Sequence, residues 1–201
     1  MDWERLAGEE TLQKTANALR SNGIEVIIVE KGSEAKEKLL SMIKDGSMVM
    51  EASSTTLKQI SVHTEINESG RYVPINKEPS KENDAIKRAE LRRRLPSPDY
   101  AIGSVHAITE GGQLLTASAG GSQIPSYSFT AKRVILVVST KKIVQDINSG
   151  IDRINEHCLP MESERMQKAY GSKSAVNQIL IIEKGLNGRI TVILVKENLG
   201  F

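Results

Sequence analysis

An α/β fold built on a mixed, mostly parallel sheet is predicted by three observations. Apolar runs at Ile24–Val29, Ser47–Met50 and Val134–Val138 read as strands covered on both faces, because a strand with one wet face would alternate. Segments of helical periodicity lie between the first of them, the pattern of a parallel sheet with crossover helices. Around Gly111-Gly112, two further apolar runs stand at hairpin distance and add antiparallel pairing.

In chain order, Leu12, Ala16 and Leu19 recur at helical spacing and Asn22-Gly23 supplies the stop before the first strand. Ala35, Leu39, Leu40 and Ile43 form a second apolar stripe that Asp45-Gly46 ends. After the strand at Ser47–Met50, the run Glu51-Ala52-Ser53-Ser54-Thr55-Thr56 leads into one helix through Leu57, Ile60 and Val62. A short strand near Tyr72–Ile75 and a loop marked by Pro74 and Pro79 precede a charged helix from about Lys81 to Arg94, which Pro96 and Pro98 stop. Asp84 stands four residues before Arg88, and Glu90 four before Arg94. That spacing predicts a solvated, salt-bridged face. Strands at Ala101–Gly103, Val105–Thr109, Gln113–Ala117 and Val134–Val138 come next. A helix carrying Ile143, Ile147, Ile151 and Ile154 then ends near Leu159-Pro160, and a hairpin at Leu186-Asn187-Gly188 joins strands Ile179–Glu183 and Ile190–Val195.

The 201 residues fit one domain, and 39% hydrophobic with 26% charged residues is enough to fill a core. Basic and acidic residues nearly balance, 27 against 25, and aromatics make up only 3%. Nucleic acid is therefore not expected as a partner. Cys158 is the single cysteine and no apolar run approaches a membrane span, which points to a cytoplasmic chain with no membrane attachment. A homo-oligomer is compatible with all of this. His63, His106 and His157 show no ligand spacing with one another or with Cys158, so no metal site is expected. His106 alternates with apolar neighbours and reads as a hydrogen-bonded sheet histidine.

Two regions carry the candidate chemistry. Hydroxyls crowd a strand-loop-helix junction at Ser53, Ser54, Thr55 and Thr56 behind Glu51, where open α/β sheets place ligands; ordinary N-capping accounts for one hydroxyl, not four. The second region holds two glycine pairs, Gly111-Gly112 and Gly120-Gly121, with Thr109, Glu110, Ser118, Ser122 and Gln123 beside them. Each pair either closes a turn between strands or brings backbone N–H groups to a ligand. Glu110 is the leading ionisable residue, as a ligand-orienting or loop-bracing group ahead of a nucleophile.

The segments SVHAITEGGQLL, AKRVILVVSTKKIVQDINSGIDRI, the Leu159-Pro160 pair before Met161 and the ending GRITVILVKENLGF resemble the short-chain branch of the LUD-domain family, which includes the C-type lactate-utilisation proteins. The resemblance runs from about Ser47 to Phe201, with residues 1–46 less clearly matched. It implies one domain over residues 1–201 with a three-layer fold related to the NagB, RpiA and CoA-transferase enzymes. It also implies a small anionic metabolite held between the two loop regions. The ligand-binding set expected on this basis is Glu51, Ser53, Ser54, Thr55, Thr56, Gly103, Thr109, Glu110, Gly111, Gly112, Gly120, Gly121, Ser122, Gln123 and Lys142. Lys142 matches the lysine of the family's Asn-Lys-Ile-Val pattern. No catalytic residue is assigned, and Glu110 is the best candidate.

Departures from the family narrow the role. The stretch ESERMQKAYGSKSAVNQI has no cysteine where many relatives carry a cluster, so no cofactor is expected and any redox role requires an iron-sulfur partner in lactate oxidation. His106 stands where relatives have Asn, and Gly121-Ser122-Gln123 where they have Gly-Asn-Arg, which removes one anion-pairing arginine. Competing readings are a non-catalytic ligand-binding or regulatory subunit and, third, a CoA-transferase- or isomerase-like enzyme.

Overall fold

The computed structural model describes residues 2–186 and 188–201. Leu12, Thr15, Ala16 and Leu19 form the buried stripe of helix α1 (Glu9–Ser21), and the chain turns at Asn22-Gly23 into strand β1 (Glu25–Val29). Ala35 and Leu39 bury the face of α2 (Gly32–Met42) ahead of β2 (Met48–Glu51). The single helix expected next is two, α3 (Thr55–Gln59) and α4 (Val62–Glu68), because Ser61 takes a left-handed φ of 56° and turns the chain between them.

β3 (Val73–Pro74) is followed by α5 (Lys77–Lys81) and α6 (Ala85–Arg93), where one charged helix was expected. Asp84 restarts the helix by accepting hydrogen bonds from the Ile86 and Lys87 N–H groups at 2.8 and 3.0 Å. That carboxylate is thereby taken from Arg88, whose guanidinium donates instead to the Glu82 carbonyl at 2.8 Å. The salt-bridged face predicted for this segment does not form among the described residues.

The remaining elements are β4 (Tyr100–Gly103), β5 (Ala107–Thr109), β6 (Leu114–Ser118), β7 (Arg133–Ser139), β8 (Ile143–Val144), α7 (Ile147–Arg153), α8 (Leu159–Tyr170), β9 (Gln178–Ile182) and β10 (Ile190–Val195). Leu159-Pro160 does not end a helix. A π-helical turn over Ile154–Cys158 joins α7 to α8, and the proline sits in the first turn of α8, where its missing N–H costs no hydrogen bond.

The strands form two sheets among the described residues, not one mixed sheet. Six of them pair in the order β1-β10-β7-β4-β2-β3, parallel throughout. The mixed pairing is confined to a smaller sheet, β8-β5-β6-β9, in which β6 runs antiparallel to both neighbours and β8 parallel to β5. β9 and β10 therefore belong to different sheets, and the expected terminal hairpin is absent; its central residue Asn187 lies outside the described residues. Burial decides the assignment. All six residues of β10 are buried, as a central strand requires, whereas β9 is half-exposed and sits at an edge.

Alternation along β7 shows what covers the parallel sheet. Val134, Leu136 and Val138 meet Leu12, Ala16 and Leu19 of α1 together with Ile108 and Leu114 of the small sheet. Ile135 and Val137 meet Ala35, Leu39, Leu57 and Val62 from α2, α3 and α4. The three-layer α/β architecture is thus helices, parallel sheet, and a layer shared by α1 and the small sheet. Ile147 and Ile151 of α7 cover the far side of that sheet against Ala107 and Leu115. No described helix is long and apolar enough to cross a membrane.

Where β5 turns into β6, Gly112 has φ +83°, and a Cβ there would lie 2.8 Å from the Ala18 carbonyl carbon. This turn is pressed onto α1. Gly112→Ala is expected to destabilise the fold by about 1–3 kcal/mol through combined strain and clash, read as a lower urea midpoint at unchanged slope; an unaltered midpoint would show that the turn is free to move.

Candidate functional site

Parallel pairing places the carboxyl ends of β2, β4 and β7 along one edge of the large sheet, and the loops leaving them enclose a cavity of about 1070 Å³. Glu51 through Thr56, Ser104 through His106, and Lys142 line it from those three strands. Ser118, Ser122 and Gln123 line it from the loop after β6, and Arg88 and Arg92 from α6. A second hollow of about 570 Å³ along α8 carries none of the candidate residues.

The hydroxyl loop performs two tasks. Ser54 caps α3 by accepting from the Leu57 N–H at 3.3 Å. That helix has five residues and so a small dipole, while Ser53, Ser54, Thr55 and Thr56 all line the cavity. Thr56 instead turns its Oγ1 toward Lys142 Nζ, 3.4 Å away.

Lys142 Nζ also donates to Ser104 Oγ and the Val105 carbonyl, both at 3.2 Å, and no carboxylate lies within 4.0 Å of it among the described residues. Its side chain is 2% exposed. Burial, reinforced by the positive field of Arg153, pulls its pKa down to about 7. Arg153 is itself fully buried: Nη1 donates to the His106 carbonyl at 2.6 Å and to Cys158 Sγ at 3.0 Å, while Nε and Nη2 meet no partner among the described residues. Among the described residues, the carboxylate acting on this pair of cations is Glu4, which Lys141 already holds at 2.7 Å.

A carboxylate–imidazole pair forms on the opposite wall. Glu51 Oε2 accepts from His63 Nδ1 and from Asn67 Nδ2, each at 2.9 Å, and the Asn76 side-chain amide brackets the Glu51 backbone with bonds of 3.3 and 2.6 Å. With the carboxylate accepting, His63 carries its hydrogen on Nδ1 and presents Nε2 as a proton acceptor. His106 has the opposite tautomer: its Nδ1 accepts the Ala117 N–H at 3.1 Å, so Nε2–H is the donor. Burial, with Lys142 and Arg153 nearby, drives its pKa down to about 3, so His106 is neutral at ordinary pH.

Gly103 serves space rather than ligand contact. A Cβ on it would fall on the Tyr127 hydroxyl, which donates to the Ser104 carbonyl at 3.4 Å and is itself buried, its pKa raised by burial. Gly120 and Gly121 form the turn that delivers Ser122 and Gln123, with the Gly121 N–H donating to Ser118 Oγ at 2.8 Å. Thr109, Glu110, Gly111 and Gly112 are not among the cavity residues. They close the β5–β6 hairpin, where Thr109 Oγ1 accepts from the Gln113 N–H at 3.0 Å, Glu110 binds Lys14 of α1 at 2.7 Å, and Asn22 donates to the Gly111 carbonyl at 2.9 Å. The leading catalytic candidate is thus a brace between hairpin and helix, outside the cleft.

His63, Asn67, Arg88, Arg92, Tyr127 and Arg153 line or border the cavity but stand outside the site set expected from the sequence. The spacing of four in His63/Asn67 and in Arg88/Arg92 was the available signal, since it puts each pair on one helix face. Among the described residues no group of three or more His, Cys, Asp or Glu is placed to hold a metal ion.

An α/β protein whose buried, unpaired lysine lies in a cleft at the strand ends is the class that this geometry defines. The LUD domain family model matches residues 12–195, so the chain belongs to the LUD domain family, and the match begins well before Ser47 to include α1, β1 and α2. Among solved structures, a DUF162 family protein from Deinococcus radiodurans has the same fold at 12% identity, with a TM-score of 0.58 over 95% of this chain and 99% of that one. Weaker matches are eIF2B delta from Chaetomium thermophilum, at 12% identity and TM-score 0.40 over 92% of this chain and 60% of that one, and eIF2B beta from the same organism, at 11% and 0.36 over 68% and 46%. No curated protein matches the chain.

Two outcomes test this description. Glu110→Gln is expected to lower the melting temperature slightly and leave anion affinity unchanged; weaker binding at unchanged melting temperature would return Glu110 to the site. For His106, the unfolded state takes up a proton below pH 6.5 and the folded state only near 3, so stability falls as pH drops through that window. The slope from this residue is about 1.4 kcal/mol per pH unit, and denaturant titrations of His106→Gln should lose it.

Proposed function

We propose that this LUD-family protein is of the lactate-utilisation type and binds a small anionic metabolite in the cavity, with Lys142 as the buried cation that meets it. The observation that carries this reading is the surplus of buried positive charge: Lys142 and Arg153 together lack a carboxylate of their own, and an anion entering the cavity supplies the missing countercharge. Arg88 and Arg92 on the rim add attraction for the same charge sign. His63 and His106 offer an acceptor and a donor to the rest of the ligand. The lactate assignment rests on family membership, and an iron-sulfur protein would supply the electron acceptor, consistent with a chain that carries no cysteine cluster. Co-purification of such a protein with the tagged chain from lactate-grown cells tests the partnership.

Calorimetry with L-lactate and with inorganic phosphate tests the site. Binding an anion protonates Lys142, so affinity should be level below pH 7 and fall about tenfold per pH unit above it, because the free protein then loses the proton that the complex needs. Lys142→Met should weaken binding about 10- to 100-fold, the range for a charged hydrogen bond, and flatten the pH dependence. Equal affinity in the variant, or none for either anion in the wild type, would overturn the reading.

A further inference from the structure

Two consecutive lysines of this chain are equally buried and chemically unlike. Lys141, 3% exposed, is saturated: Nζ donates to Glu4 Oε2 at 2.7 Å, Asn198 Oδ1 at 2.6 Å and the Gly200 carbonyl at 2.8 Å. Lys142 has only the hydroxyls of Thr56 and Ser104 and the Val105 carbonyl, all at 3.2–3.4 Å, and it lines the cavity where Lys141 does not. A fixed ion pair makes the first an anchor. The second keeps an amine that a ligand can reach.

We propose that Lys142 forms an imine with the carbonyl of a small anionic aldehyde or 2-oxo acid held in the cavity. This deepens the anion-binding reading and rests on it. Besides the two hydroxyls, the charged and titratable groups around Nζ are Arg153, Lys141, Glu4, Cys158, His106 and His157. Burial, and after it the positive charge of Arg153, pulls the pKa down to about 7, so that a large share of Lys142 is the free amine at neutral pH. Arg88 and Arg92 also line the cavity, with no acidic partner within 4.0 Å among the described residues, and add to its positive field.

The step is a condensation without redox change. The Nζ lone pair attacks the carbonyl carbon, the carbonyl oxygen takes the proton released from nitrogen, and Thr56 or Ser104 relays it. The resulting hydroxyl then leaves as water with the second proton of the nitrogen, and the nitrogen lone pair closes the C=N bond to Lys142.

The experiment uses the whole protein with glyoxylate or pyruvate as the probe and cyanoborohydride as the trap, followed by intact mass and peptide mapping. One adduct per chain is expected, at Lys142, with trapping that rises with pH through about 7. Exposed lysines with pKa near 10.4 hold about 10³-fold less free amine at pH 7, which sets the background. Lactate, which has no aldehyde or ketone group, should compete. Its binding should weaken over the same pH range in which trapping grows. Lys142→Arg should reduce the adduct to background, and its melting temperature checks that it folds. Should the variant not fold, loss of the adduct from wild type on adding lactate supports the same site. An adduct spread over surface lysines, or retained in Lys142→Arg, overturns the proposal. Lactate binding without trapping overturns the imine alone and leaves the anion site standing, whereas neither binding nor trapping overturns both.

Discussion

The last strand of the chain, β10, lies between β1 and β7 in parallel register, and six consecutive residues from Ile190 to Val195 are buried there on both faces of the sheet. Fully burying each of its apolar side chains is worth about 1.5–3 kcal/mol, so no other strand pairing of this segment competes. Because β10 is parallel to both neighbours, every strand of the large sheet ends on the same side. The residues after it then run back across that edge, where Ser139 Oγ donates to the Glu197 carbonyl at 2.6 Å and Lys141 reaches Asn198 and Gly200.

Burying Lys142 and Arg153 opposes folding. A cation removed from water without a carboxylate loses hydration that hydroxyls and carbonyls restore only in part, and burial accordingly lowers the pKa of Lys142, with Arg153 adding to the shift. A core built for stability alone would replace both with apolar side chains. Lys142 lines a cavity of about 1070 Å³ whose wall also carries Glu51 and His63.

The two glycine-bearing loops follow different rules. At Gly111-Gly112 the constraint is contact with α1, so Thr109, Glu110 and Asn22 all serve the turn. At Gly120-Gly121 the turn leads back toward the sheet edge and places Ser122 and Gln123 on the cavity wall. Composition alone makes the two loops look alike. What separates them is which face of the small sheet each one meets.

Local chemistry made much of this legible in the sequence. Helical stripes at Leu12/Ala16/Leu19 and Ala35/Leu39, the strand expected at Val134–Val138, the hydroxyl loop after β2 and the candidate cation Lys142 all follow from periodicity, propensity and the family pattern, which act over a few residues; the run Ile24–Val29 also forms a strand, but one at the sheet edge and only partly buried. Tertiary structure decided what depends on contacts across long separations. Periodicity cannot say which sheet an apolar run joins, so the separation of β9 from β10 needed the burial of each. Nor does spacing show that Asp84 caps a helix before Arg88 can use it, or that Ser61 turns α4 back so that His63 and Asn67 converge on Glu51. Lys14, ninety-six residues from Glu110, claims that carboxylate only once α1 lies against the hairpin. A side chain's type sets what it can bind; the packing of distant segments sets what it meets.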